Sequence, residues 1–210
     1  MPQQLVNPAK VTETFVHLNE SQNNRALYSA VVNGRDITEE VPNLSLAPGY
    51  RLVRIDNRTP DKIKNEHFEL ALVNDVTEEI AYYNRVIFQP DTFLKCRPVT
   101  QILVWRTQKP KHRKILHTLA GIIFLEYLLE KYDVIVSDQN QTHEGMSFWQ
   151  ARMYDALERG LHLYAYDVIE CKLIPLTNEY ELEKGETWLW GEPEHFQERL
   201  AIISKFSLPA

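Results

Sequence analysis

The sequence predicts an α/β (α+β) protein in which a central mixed, largely antiparallel sheet is flanked by helices. Three observations carry that expectation. Residues Thr100 to Asp167 read strand, helix, strand, turn, helix, strand in unbroken order. Two runs rich in aromatic and β-branched residues, His67 to Val73 and Glu79 to Phe88, precede that stretch, and such residues suit a pleated surface. Between two apolar runs, His112 to Lys131 carries Ile115, Leu119, Ile122, Leu125 (or Phe124), Leu128 and Leu129 at helical spacing.

The elements follow in order. Val11 to Leu18 alternates loosely and suits a strand, and Asn19 to Asn24 reads as a polar loop. Arg25 to Val32 fits either a strand or one helical face. Asn33-Gly34 marks a turn, and a hairpin if both flanks are strands. Asp36 to Pro48 has no clear period and reads as loop. Tyr50 to Ile55 alternates as a strand with one wet face. Thr59-Pro60 disfavours helix in the charged segment that follows. His67 to Val73 and Glu79 to Phe88 then form an antiparallel pair. Val99 to Arg106 is a nearly continuous apolar run, as expected of a strand covered on both sides. The long helix of His112 to Lys131 leads to a buried strand at Asp133 to Val136. A second amphipathic helix spans Gly145 to Arg159, with Gly160 closing it. Strands are expected at Leu161 to Tyr166 and around Leu173 to Leu176. A charged turn, Trp188-Leu189-Trp190 and a last helix from Pro193 to about Ser204 complete the chain.

With 210 residues, 44% hydrophobic and 25% charged, the chain suits one domain over 1–210. Its parts are N-terminal strands and loops (1–66), a core (67–167), and a C-terminal strand and helix (168–210). The net charge of −6 excludes a molecule built as a whole to coat nucleic acid or an anionic membrane, and leaves room for a local basic patch. The two cysteines, Cys96 and Cys171, lie far apart without a partner motif and read as buried structural thiols of a reducing compartment. No basic region followed by an apolar run marks a signal peptide at the start. The longest apolar stretch, Leu119 to Leu125, falls short of a membrane span. A cytoplasmic protein is expected, with no membrane partner.

Two stretches carry candidate chemistry. Arg106, Lys109, Lys111, Arg113 and Lys114 gather with His112 where the long helix begins. Cations there oppose the helix dipole by a few tenths of a kcal/mol each, and a bound anion reverses that sign. A phosphate, nucleotide, acyl-CoA or nucleic-acid site is the functional reading, and a solvated basic loop the structural one. The second stretch, at the carboxyl end of a central strand where α/β sheets bind ligands, runs from Ser137 to Glu144. Asp138, His143 and Glu144 offer a general base, while Ser137, Gln141, Thr142 and His143 offer contacts to a substrate or partner. The structural reading makes Thr142 or Ser147 a helix cap, Glu144 a first-turn acid and Gln141 a side chain bonded to backbone. Seven scattered histidines show no metal-ligand spacing, so no metal site is expected. No GxxxxGK[ST], GxGxxG or GxSxG pattern occurs. Aromatic residues Tyr82, Tyr83, Trp149, Tyr154, Tyr164 and Tyr166 read as core.

Taken together, Phe68 to Tyr166 resembles the GNAT acyltransferase fold in the order of its elements. The resemblance implies that the loop after the central strand would hold the pyrophosphate of acyl-CoA through a pattern Q/R-x-x-G-x-G/A. The corresponding segment, Arg106-Thr107-Gln108-Lys109-Pro110-Lys111-His112-Arg113, has no glycine, and Pro110 removes a donor. It also implies a thiolate-protonating tyrosine on the second helix, about four residues before the closing glycine. Ala156 stands there, with Tyr154 two residues earlier. The run Ser137-Asp138-x2-Gln141-Thr142-x2-Gly145-x2-Phe148-Trp149 resembles small accessory proteins of phages and plasmids with a GNAT-like core. The expected function is therefore a GNAT-like accessory protein, in a host cytoplasm if phage-encoded, that binds a host protein or nucleic acid without ordinary acyl transfer. The alternatives are an acyl-CoA-dependent N-acyltransferase, with Asp138 or Glu144 as base and Tyr154 as acid, and a structural component of virions.

Overall fold

The structure, a computed structural model, describes residues 16–59, 61, 63–138, 141–191 and 198–209. Among them the protein is mixed α/β, with nine strands that pair mostly antiparallel. In chain order these are α1 (Ser21–Val31), β1 (Arg35–Asp36), β2 (Tyr50–Asp56), β3 (His67–Asn74), β4 (Glu79–Phe88), β5 (Val99–Arg106) and α2 (Arg113–Ile122). There follow α3 (Glu130–Tyr132), β6 (Val134–Val136), α4 (His143–Glu158), β7 (His162–Asp167), β8 (Lys172–Pro175), α5 (Glu179–Trp190) and β9 (Arg199–Ser204). A π-helical segment, Ile123–Leu129, joins α2 to α3. No helix among the described residues is long and apolar enough to cross a membrane.

The chain forms two compact units. The first holds the described residues of Leu5–Phe88 and Gln101–Tyr127. There β1 to β4 pair antiparallel in sequence order, with a register shift at Leu72/Val73. Side chains alternate across a strand, so the register aligns Val53, Ala71 and Tyr83 on one face and Arg54, Leu70 and Asn84 on the other. The first face packs with Leu27, Tyr28 and Val31 of α1. On the second, the Arg54 guanidinium lies 3.9 Å over the Phe68 ring and donates to the Tyr127 hydroxyl at 3.0 Å.

Helix α1 begins at Ser21, inside the stretch Asn19 to Asn24 that reads as a loop. The reason is Asn24, whose buried amide donates to the Ile80 carbonyl at 3.1 Å and accepts from the Ile80 N–H at 2.8 Å. A polar side chain thus serves as a strand partner for β4, which local pattern does not reveal. Asn33-Gly34 turns α1 into β1 instead of closing a hairpin. A Cβ on Gly34 would meet the Arg54 carbonyl oxygen at 2.8 Å, so the close approach requires glycine. Of the strand expected at Val11 to Leu18, residues 11–15 lie outside the described residues and Val16 to Leu18 are helical.

The expected long helix is present, with a π-helical interior. Leu116 and Leu119 are buried in α2, whereas Ile115 is only half-buried. Across the π segment the i→i+5 pattern shifts the inward face, and Ile123, Phe124, Leu125, Tyr127, Leu128 and Leu129 are all buried.

The second unit holds the described residues of Gln89–Thr100 and Leu128–Ala210. Val99 pairs parallel with Ile135 of β6, while β6, β9, β7 and β8 follow one another antiparallel. Val134, Val136, Tyr164, Tyr166, Leu200 and Ile202 form its core. The expected terminal helix is corrected here. Pro193 to Gln197 lie outside the described residues, and Arg199–Ser204 is strand β9, paired on both edges. Leu200 to Ile203 are all buried, and a short continuous apolar run cannot be told from a helix by period. The expected charged turn is helix α5, capped by the Asn178 side chain, which accepts from the Glu181 N–H at 3.0 Å. Only Leu182, Gly185 and Leu189 of α5 are buried, too narrow a stripe to announce the helix. Both cysteines are free thiols. Cys96 is half-buried, but Cys171 is exposed in the β7–β8 turn, contrary to the expectation of two buried thiols.

Replacing Asn24 by Ala strands both backbone groups of Ile80 and is expected to lower stability by about 2 kcal/mol. Urea denaturation measures this, and a loss near zero would mean that water replaces the amide.

Candidate functional site

The site lies in the first unit, where β5 ends and the long helix starts. Pro110 to His112 form a 3₁₀ turn that runs directly into α2. Proline suits the first helical position because its φ is already set and its missing N–H is not needed there. At the other side of the site, the turn after β3 ends at Glu79, the first residue of β4, whose side chain is only 10% exposed.

Glu79 gathers four partners. The ammonium groups of Lys109 and Lys111 both pair with its carboxylate. The Thr77 hydroxyl donates to Oε1 at 2.7 Å, and His112 Nε2 lies 3.1 Å from the same oxygen. Burial raises the Glu79 carboxyl, but hydrogen bonds from Lys109, Lys111 and Thr77 outweigh it and hold its pKa at about 2. His112 is fully buried. Burial lowers its pKa and outweighs the opposing pull of Glu79, so the imidazole is neutral at pH 7. Its tautomer follows. An ionised carboxylate only accepts, so Nε2 carries the proton and donates to Glu79. The bare Nδ1 then accepts from the Tyr50 hydroxyl, 2.7 Å away. The two rings meet edge to face at 5.8 Å.

The five cations therefore divide. Lys109 and Lys111 are committed to Glu79. Arg106, Arg113 and Lys114 are exposed, and among the described residues none of the three is in an ion pair. Three of the loop's backbone donors are committed as well. Thr107 N–H donates to Ala81 at 2.9 Å, Lys109 N–H to the Thr107 hydroxyl at 3.3 Å, and His112 N–H to Lys109 at 3.1 Å. With Pro110 lacking a donor and no glycine present, the loop departs from the pyrophosphate-binding pattern that the GNAT resemblance implies.

The second candidate stretch lies in the other unit. Ser137 is buried, and its hydroxyl accepts from the Ala201 N–H at 2.9 Å, tying the end of β6 to β9. The Gln141 side chain donates to the Asp138 carbonyl at 3.1 Å and accepts from the Trp190 indole at 3.2 Å. Thr142 caps α4 by accepting from the Gly145 N–H at 3.1 Å. His143 and Glu144 are exposed in the first turn. Backbone N–H and Thr142 hydrogen bonds pull the Glu144 pKa down. Tyr154 is pushed up, first by partial burial and then by Glu186, Glu183 and Glu179. Glu144 and Tyr154 stand ten residues apart on one helix, about 15 Å along its axis, so α4 does not bring them together. Of the aromatic residues read as core, Tyr82, Tyr83, Trp149, Tyr164 and Tyr166 are buried, and Tyr154 is exposed.

Tyr50, Thr77 and Glu79 escape a reading of the sequence. Each sits in an unremarkable strand or turn, and only the sheet register brings them to the helix. One local signal exists: Glu79 is a carboxylate opening a strand whose next four residues, Ile80 to Tyr83, are apolar or aromatic. Among the described residues no group of three or more His, Cys, Asp or Glu is placed to hold a metal ion. Compared with protein-family models and with curated proteins, the sequence matches none of the family models and none of the curated proteins.

The pH dependence of stability has a defined sign. Between pH 4.5 and about 2 the folded Glu79 binds fewer protons than the unfolded one, so its contribution is complete above pH 4.5 and lost as the pH falls through that window. His112 adds an earlier loss, beginning below 6.5, because the unfolded histidine protonates first. In Glu79→Gln, the urea midpoint should therefore fall less steeply below pH 4.5 than in the parent. Parallel curves would show that Glu79 is not the depressed carboxyl.

Proposed function

We propose that the chain is a binding protein, without ordinary acyl transfer, and that Arg106, Arg113 and Lys114 engage an acidic surface on a protein partner. The observation that carries this reading is the division of the cations by Glu79. Lys109 and Lys111 are drawn onto the carboxylate and fix the helix entrance, and three exposed cations remain beside it, none of them ion-paired among the described residues. Rigid placement reduces the ordering cost of binding. A nucleic-acid backbone offers similar anionic chemistry. The net charge of −6 and the burial of Tyr82, Tyr83, Trp149, Tyr164 and Tyr166, which removes them as stacking platforms, favour a protein. The resemblance to phage and plasmid accessory proteins suits a host protein as the partner.

The test uses immobilised polyglutamate, single-stranded and duplex DNA, and free acetyl-CoA. Polyglutamate binding is expected, weakened about tenfold or more when Arg106, Arg113 and Lys114 are all replaced by Ala, with the thermal midpoint unchanged. Acetyl-CoA should leave that midpoint where it is. A midpoint raised by acetyl-CoA, and restored by Lys109→Ala with Arg113→Ala, would overturn the reading in favour of an acyltransferase. Tighter binding to DNA with a steep salt dependence would move the partner to nucleic acid.

A further inference from the structure

The geometry points to Tyr50 as an activated nucleophile, served by His112 and Glu79, that accepts an acyl group from a neutral or cationic carboxylic ester bound in the adjoining cleft. Nucleophile, base and orienting carboxylate are recognised by mutual hydrogen bonds, not by position in the sequence. Here the Tyr50 hydroxyl donates to His112 Nδ1 at 2.7 Å, and His112 Nε2–H donates to Glu79 at 3.1 Å. Lys109, Lys111 and Thr77 keep Glu79 ionised, so it stabilises the imidazolium that forms when Tyr50 gives up its proton.

Tyr50 is half-exposed and lines an open cleft of about 650 Å³, together with Asp36, Thr38, Leu44, Leu46 and Arg51. The charge in that cleft selects the substrate. Arg51 is held in a bidentate pair by Asp75, at 2.6 and 3.0 Å, while Asp36 and Glu39 also line the wall. The surplus is acidic, which disfavours phosphates and carboxylates, and the leucines suit an apolar acyl or alcohol group. In the reaction the Tyr50 oxygen attacks the ester carbonyl carbon as its proton passes to His112 Nδ1. The ester C–O bond breaks, and the departing oxygen takes that proton and leaves as an alcohol. The acyl group remains on Tyr50 until water, deprotonated by the same nitrogen, releases it as a carboxylic acid.

The experiment treats the full chain with 4-nitrophenyl acetate and follows acetylation of individual tyrosines by peptide mass spectrometry. Tyr180 is 64% exposed and outside the relay, so it serves as the internal reference. Acetylation of Tyr50 at least about tenfold faster than of Tyr180 is expected at pH 7, since general-base assistance contributes about 10²–10⁴-fold. Glu79→Gln should bring the Tyr50 rate down towards that of Tyr180. The wild-type rate should fall only below pH 6.5, because neutral His112 is the base and burial, Lys109 and Lys111 depress it while Glu79 opposes them. Equal or slower acetylation of Tyr50 in the unmodified chain would overturn the proposal, with no variant needed. So would a Tyr50 rate indifferent to Glu79→Gln.

Discussion

One buried carboxylate, Glu79, sets the geometry of the candidate site. A carboxylate that is 10% exposed is tolerated only when paired and hydrogen-bonded, and the chain meets that demand with Lys109, Lys111, Thr77 and His112. Because those partners come from the turn before β4 and from the start of the long helix, satisfying one charge locks two distant segments together. The same solution recurs on Glu69. It is fully buried and held by Arg58 at 2.5 and 3.1 Å and by Arg85 at 3.3 Å. In both places a mostly apolar strand hides an acid, and cations from other segments answer it.

What was legible in the sequence follows from this. Elements whose evidence is local and periodic are where the pattern places them: Val99–Arg106 as β5, the antiparallel β3 and β4, the long helix, and α4, where Thr142 and not Ser147 is the cap. Elements that depend on distant partners are not. Asn24 belongs to a helix because its amide pairs with Ile80, fifty-six residues on. Strand β9 carries four buried apolar residues in a row because β6 and β7 flank it, and nothing in Leu200 to Ile203 says so. In the candidate site the five cations were visible, but their counter-charge was not. Glu79 lies thirty residues before Lys109, and Tyr50 lies sixty-two before His112. Hydropathy patterns do not encode such distances.

The counter-charge also changes the meaning of the cations. Five positive side chains at a helix start oppose its dipole, and taken alone they call for a bound anion. Glu79 supplies an internal anion for two of them, so the demand falls on Arg106, Arg113 and Lys114 only. Those three are exposed, where each ion pair with a partner is worth about 1 kcal/mol or less. An isolated metabolite held by such contacts would bind weakly. A macromolecular partner, adding contacts around them, would not, because charge complementarity then sets orientation and on-rate while the surrounding surface supplies affinity.

His112 connects this surface chemistry to the cleft. Its burial makes the neutral form stable, the ionised Glu79 fixes the proton on Nε2, and the remaining lone pair has one partner, the Tyr50 hydroxyl. A histidine placed only to fill space needs no such order of donors. If the relay served stability alone, an amide that accepts the same hydrogen bond would replace the Glu79 carboxylate with little effect on Tyr50. Beyond holding Lys109 and Lys111, a carboxylate differs from an amide in one further respect: it favours a positive charge on the imidazole. That preference has no use in a neutral, resting hydrogen bond, and it acquires one at the moment the Tyr50 proton moves.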